Sequence, residues 1–256
     1  MSIYIALLIR AVIFFNCTIF DMIQMKSMAY NFVEGACLLI DKPIGWTSFD
    51  VVNKVRFTLK KKLNLKKIKV GHAGTLDPLA SGLLIVCTGK FTKKIDHYQG
   101  LHKGYTGQMT MGATTPSYDA ETEIDQQFEL QYLNPEKLHA NCKSFLGNIE
   151  QKPPIFSAIK VNGQALYKKA RKGEAVEIKS RQVEIMDFRL TRIELPYVDF
   201  EVKCSKGTYI RSLAHDFGRT LNNGAFLSAL KRTSIGEYSL EDAWELSDLI
   251  RHIEEM

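Results

Sequence analysis

The chain has 256 residues, is 45% hydrophobic and 24% charged, and carries a formal net charge of +6. That length fills one large domain or two small ones, and the composition is that of a globular protein, not a disordered or fibrous one. The five cysteines (Cys17, Cys37, Cys87, Cys142 and Cys204) are odd in number, widely spaced and without any CxxC pair, which argues against a disulfide framework and a zinc site.

Residues 1–35 stand apart. Ile3 to Phe20 is largely apolar, with Arg10 inside it, and Met22, Met25 and Met28 follow. A signal peptide lacks its basic start and small-residue cleavage site here, and Arg10 is costly at the centre of a membrane helix. The expectation is an over-extended reading frame whose functional start lies near one of the three methionines; a membrane anchor is the alternative.

From there the elements follow in order. Cys37-Leu38-Leu39-Ile40-Asp41 reads as a strand ending at Lys42-Pro43. Thr47 or Ser48 caps a helix over 49–59, with Phe49, Val52, Val55 and Leu59 on its apolar face. Leu83 to Cys87 reads as a buried strand and Tyr105 to Met111 as a half-buried one. Residues 113–127 are polar and acidic and read as a mobile loop. Pro135 to Leu146 reads as a helix capped by Asn134 and broken at Lys152-Pro153-Pro154. Ile155 to Val161 reads as extended and Gln164 to Arg171 as helical. Val183 to Ile193 and Val198 to Cys204 read as strands joined around Pro196. Helices follow over 209–221 and 247–255. Irregular alternation with adjacent strand pairs predicts an α/β fold of α+β type: a mixed, mostly antiparallel central sheet with helices packed on it. No linker splits residues 36–256, which are expected to form one domain.

Chemistry concentrates at Gly71-His72-Ala73-Gly74-Thr75-Leu76-Asp77-Pro78. Glycines let the backbone turn sharply, Pro78 fixes the turn after the acid, and the strand that follows anchors it. Asp77 reads either as an ordinary turn aspartate or as a carboxylate held for use as nucleophile or base. No second carboxylate is near in sequence, so paired acid–base chemistry lacks local support. His72 has no zinc spacing; it is a structural histidine or a nucleotide contact. Ser205-Lys206-Gly207-Thr208-Tyr209-Ile210-Arg211 enters a helix, and its glycine spacing is not that of a Walker A loop. Tyr209 and Arg211 share a direction only if the entry is extended. Tyr105 reads as a packing tyrosine on composition alone.

The positive charge is clustered. Lys60, Lys61, Lys62, Lys66, Lys67 and Lys69 form one run, Lys90, Lys93 and Lys94 a second, and Lys168, Lys169, Arg171 and Lys172 a third; Lys231 and Arg232 add a patch beside Leu230. Each run alone is as readily a solvated face as a binding surface. Two of them flank the Asp77 segment, which favours a nucleic-acid footprint.

These pieces together, from about Gly35 to about Tyr238, resemble the TruB family of tRNA pseudouridine synthases: Leu38 to Pro43, Gly71 to Pro78, Lys103-Gly104-Tyr105, Pro154-Ile155-Phe156-Ser157-Ala158-Ile159-Lys160, Cys204 to Arg211, and Leu230-Lys231-Arg232-Thr233. The resemblance implies the pseudouridine-synthase fold and isomerisation of a uridine in the tRNA T-loop (uridine 55), with the base flipped out and no cofactor or metal. It implies that Asp77 is the nucleophile on ribose or base, that Tyr105 stacks on the flipped uracil, and that Arg211 pairs with Asp77. It further places Tyr209 and Leu230 in the uracil pocket, His72 against displaced T-loop nucleotides, and Lys42 among the substrate contacts. A monomer binding the T-stem-loop in the cytoplasm is the expectation. Many members carry a C-terminal PUA-type module, and only 18 residues follow Tyr238 here, so acceptor-arm binding is expected to be weaker or differently achieved. The alternatives are a synthase acting on another RNA and a non-catalytic tRNA-binding or folding protein.

Overall fold

The computed structural model describes residues 30–157, 160–161, 164–166 and 178–256. In chain order these form β1 (Cys37–Lys42), α1 (Ser48–Lys62), β2 (Val70–His72), β3 (Ala80–Thr88), α2 (Ile95–Gly100), β4 (Lys103–Met111), β5 (Ala113–Thr114), β6 (Gln126–Gln127), α3 (Pro135–Ser144), β7 (Gly147–Gln151), β8 (Lys160–Val161), β9 (Gln164–Ala165), β10 (Arg181–Glu194), β11 (Tyr197–Cys204), α4 (Ile210–Thr220), β12 (Ala225–Ile235), β13 (Tyr238–Ser239), β14 (Trp244–Glu245) and α5 (Leu246–Glu255).

A ten-stranded sheet runs β14-β1-β3-β12-β4-β11-β10-β7, with β13 paired to β12 and β2 to β3. Its pairings are antiparallel except β1 with β14 and β12 with β3. The expected mixed, mostly antiparallel sheet is therefore present. β3 shows why it holds together. Successive side chains of a strand face opposite ways, so Leu84 and Val86 enter one core with α1 and α5, and Leu83, Ile85 and Cys87 enter another with Tyr98 and Ile235. A third core lies between the β4–β11–β10 region and helices α3 and α4, built on Phe188, Phe200 and Phe217.

Helix signals work locally. Thr47 accepts from the Asp50 N–H while Asp50 accepts from the Thr47 N–H, a reciprocal capping box. Asn134 caps α3 at the Lys137 N–H. The apolar face expected on α1 is present at Val52, Val55 and Leu59, all buried, but departs at its start. Phe49 is 58% exposed, and Val51 and the small Ser48 turn inward instead.

Other expectations need correction. Residues 113–127 are a polar loop only in part: 120–127 are largely exposed, but β5 pairs with β6, and Thr115, Ser117 and Asp119 are buried. Gln164 and Ala165 form a strand with Lys160 and Val161, not a helix start; the rest of that expected helix, and the lysine and arginine run at 168–172, lie outside the described residues. β7 and β12 were not anticipated. Of the apolar start, residues 1–29 lie outside the described residues, while Phe32 is buried in the core with α1 and α5. Cys87, Cys142 and Cys204 are buried and free, and Cys37 is half-buried and free. Among the described residues no helix is long and apolar enough to cross a membrane.

Candidate active site

The Asp77 loop connects β2 to β3 and is clamped at three points. The buried Ser48 hydroxyl donates to the Leu76 carbonyl at 3.1 Å and accepts from the Leu76 N–H at 2.8 Å. The Gly45 N–H donates to the Pro78 carbonyl at 2.8 Å. Arg232, 2% exposed, donates through Nη2 to the Gly74 carbonyl at 3.1 Å and through Nε to the Leu83 carbonyl at 2.7 Å. A loop tied to a helix start, a turn and a central strand holds its carboxylate in place before any ligand arrives.

Arg232 was expected on a surface patch. It points into the protein because β12 runs parallel to β3 and brings it under the loop. The two strands approach so closely at Gly82 that a Cβ there would sit 2.3 Å from the Arg232 carbonyl oxygen, and Gly82 has φ +100°. No residue with a side chain fits that crossing.

Asp77 opens on a cavity of about 740 Å3 lined also by Tyr105, Tyr209, Arg211, Leu230 and Arg181. Arg211 Nε lies 3.0 Å from Asp77 Oδ2, and its Nη1 lies 3.4 Å from Asp119 Oδ2. The Nη1 also donates to the Ser117 carbonyl at 3.3 Å. Arg211 thus bridges two carboxylates. The second one, Asp119, was read as part of the mobile acidic loop; its distance in sequence from Asp77 hid it. Burial pushes the Asp77 carboxyl above its ordinary range, Arg211 opposes that, and Asp119 and Glu121 add to the rise.

Tyr209 is extended, with φ −94° and ψ 112°, immediately before α4. That entry lets Tyr209 and Arg211 line the same cavity, as the sequence allowed. Buried Gln151 fixes it: its side chain accepts from the Tyr209 N–H at 2.7 Å and donates to the Tyr209 carbonyl at 3.0 Å. The Arg181 guanidinium lies 4.5 Å from the Tyr209 ring centroid. Tyr105 stands on β4 between β11 and β12, and burial raises its phenol pKa.

Two residues expected among the substrate contacts, Lys42 and His72, do not line this cavity. Lys42 has no exposed surface, and its ammonium donates to the carbonyls of Pro43 and Trp46 at 2.9 and 2.6 Å. It holds the turn whose Gly45 clamps Pro78, so it supports the Asp77 loop through that turn. His72 is half-buried on β2 and is not among the residues lining the cavity. Burial and the charge of Arg232 lower its pKa, so the ring is neutral near pH 7. Among the described residues, no group of three or more His, Cys, Asp and Glu side chains converges as a metal site.

The chain is similar to known proteins over most of its length. The profile of the TruB family pseudouridylate synthase N-terminal domain matches residues 60–210. A tRNA pseudouridine synthase B of Flavobacterium johnsoniae is 58% identical over 218 residues, covering 85% of this chain and 95% of the relative. One of Phocaeicola vulgatus is 51% identical over 212 residues, covering 83% and 90%. A solved structure described as an H/ACA RNP bound to a substrate RNA containing 2'-deoxyuridine is 29% identical with a TM-score of 0.61, covering 85% of this chain; the chain spans about half of that protein, 53%. On the profile match and these identities, the chain belongs to the TruB family of pseudouridylate synthases.

Proposed function

We propose that the protein isomerises uridine 55 in the T-loop of tRNA to pseudouridine, with Asp77 as nucleophile. The observation that carries this reading is the open Asp77 carboxylate, paired with buried Arg211, in a cavity of about 740 Å3 walled by two tyrosines and Leu230. That volume lies within the range of small-ligand pockets and leaves room for a flipped nucleoside. The names of the relatives supply the RNA class.

The target uridine leaves its stack, at a cost of a few kcal/mol, to enter the cavity. Tyr105 stacks on the uracil, and Tyr209 and Leu230 enclose it. Asp77 attacks either the ribose or the base, and the bond from C1' to N1 breaks. The uracil rotates, C1' bonds to C5, the bond to Asp77 breaks and frees the carboxylate, and the proton on C5 leaves while N1 gains one. The overall change is an isomerisation and calls for no cofactor or metal. Ionised Asp77 is the reactive form, and Arg211 favours it.

The lysine runs fit a phosphate-binding role. The Gly89 N–H donates to the Lys69 carbonyl at 2.9 Å, so the end of the 60–69 run meets the start of the 90–94 run in space. Both lie at the far end of β3 from Asp77, roughly 25 Å along a strand of this length. Phosphate contacts of this kind would position RNA without reading its sequence. His72 is assigned to the displaced T-loop nucleotides. We place the enzyme in the cytoplasm, acting as a monomer.

The reading is tested by release of the C5 hydrogen from tRNA labelled at that position, with pseudouridines mapped afterwards. Conversion confined to a site outside the T-loop would replace the proposed substrate.

A further inference from the structure

Helix α4 grips the 115–119 segment at two points one turn apart. At the first, Arg211 takes the Ser117 carbonyl at 3.3 Å and Asp119 at 3.4 Å. At the second, four residues on, the His215 ring stacks on Tyr118, with centroids 3.8 Å apart and planes 14° from parallel. Residues four apart on a helix share one face. Tyr118 therefore lies between the two residues that Arg211 holds.

Tyr118 is itself in the left-handed region, with φ 64°, where aromatic residues are seldom found. Its N–H donates to the Thr115 carbonyl at 3.1 Å, and its carbonyl accepts from the Leu227 N–H at 3.0 Å. The Thr115 and Ser117 hydroxyls both donate to the Asp119 carbonyl, at 2.7 and 3.2 Å. These bonds set the shape of the segment and its place on β12. The stack and the Arg211 contacts tie it to the helix that carries Arg211.

We propose that the Tyr118–His215 stack positions the 115–119 segment so that Asp119 holds Arg211 against Asp77. This rests on the reading of Asp77 as the reacting carboxylate. The stack stays uncharged near neutrality. Burial and Arg219 bring His215 down to about 4, with Asp125 the opposing charge. Burial and Asp216 raise the Tyr118 phenol, with Arg219 opposing and Asp125 adding. Tyr118 and His215 are positioning residues: neither lines the Asp77 cavity.

The test replaces the ring while sparing the backbone. Asparagine tolerates the left-handed region, so Tyr118→Asn removes the stack without new strain. His215→Leu removes it from the helix side. Both variants are expected to lose about ten- to a hundred-fold in single-turnover rate at saturating tRNA, the scale of a small misplacement at a reacting group. The dissociation constant for tRNA is expected to stay within about two-fold. The acid limb of the rate should move to higher pH. Of the charges facing Asp77 (Arg211, Lys42, Asp119 and Glu121), Arg211 acts most strongly and favours ionisation, and a loosened Arg211 supports the carboxylate less. Tyr118→Phe, which keeps the ring, should restore both rate and limb. A lowered melting temperature with unchanged saturating rate and acid limb would overturn the proposal and leave the stack a structural contact. Failure of Tyr118→Phe to rescue would overturn it too. The assignment of Asp77 is tested separately by Asp77→Asn, so the two failures are distinguishable.

Discussion

Arg211 Nε lies 3.0 Å from Asp77 Oδ2, and the two differ sharply in exposure: 6% of the arginine side chain is accessible against 44% of the aspartate. The cation is fixed within the protein and the anion faces the cavity. Arg211→Lys keeps the charge but loses the planar fork that reaches Asp77 and Asp119 together. It should fold and lose about ten- to a hundred-fold in rate, by the magnitude of a small misplacement. Arg211→Met strands the buried Asp119 charge, and leaving such a charge unpaired costs about 3–5 kcal/mol. Denaturant unfolding of the two variants beside single-turnover kinetics separates these outcomes.

The Asp77 carboxyl, raised by burial, carries a pH signature. Activity should fall as pH drops through a value above the ordinary 3.8. The stability effect has the opposite sense. Between 3.8 and the raised value the folded state keeps a proton that the unfolded state has lost, so this group makes stability fall as pH rises. With 44% of its side chain accessible, solvent screens much of this effect, so the ionised carboxylate adds little to the fold at neutral pH and Asp77→Asn should melt no lower than the wild type. Thermal melts of both proteins at pH 7 check this; a clearly less stable variant would contradict it.

Lys42 is held to about pKa 8 by burial, against the attraction of Asp77. It remains charged at pH 7 and donates to two backbone carbonyls. Lys42→Met leaves those carbonyls unpaired, at about 1–3 kcal/mol, and frees the turn that clamps Pro78. The expected result is lower stability and a slower single-turnover rate, with tRNA affinity nearly unchanged. Weakened affinity with an unchanged rate would return Lys42 to the substrate contacts.

Gly82→Ala forces a Cβ to within 2.3 Å of the Arg232 carbonyl at φ +100°. The β3–β12 crossing must part, displacing the arginine that holds Gly74. A loss of roughly 3 kcal/mol, or about 10 °C in melting temperature, is expected, and calorimetry measures it.

Much of this was legible in the sequence because its signals are local. The Thr47 cap, the Asn134 cap and the apolar run of β3 each depend on a few neighbouring residues, and each appears in the structure. The Asp77 loop was recognisable from its glycines and proline. What the sequence hid depends on pairing across long separations. Asp119 looked like one acid among several in a polar stretch until β5, β6 and β12 placed it on Arg211. Arg232 looked like surface charge because nothing in 230–233 announces a central strand flanked by β3 and β4. Lys42 was assigned by resemblance to the substrate, and only the structure shows that its buried ammonium also holds the Pro43–Trp46 turn beside the loop.

The central claim is that the Asp77 carboxylate performs the isomerisation. The most direct measurement is pseudouridine formation by Asp77→Asn in a single turnover on unmodified tRNA, alongside a tRNA-binding titration. Asparagine preserves the size of the side chain and removes the nucleophile. Binding close to wild type with no detectable pseudouridine is the expected result; pseudouridine formation by the variant at a rate near that of the wild type would contradict the account.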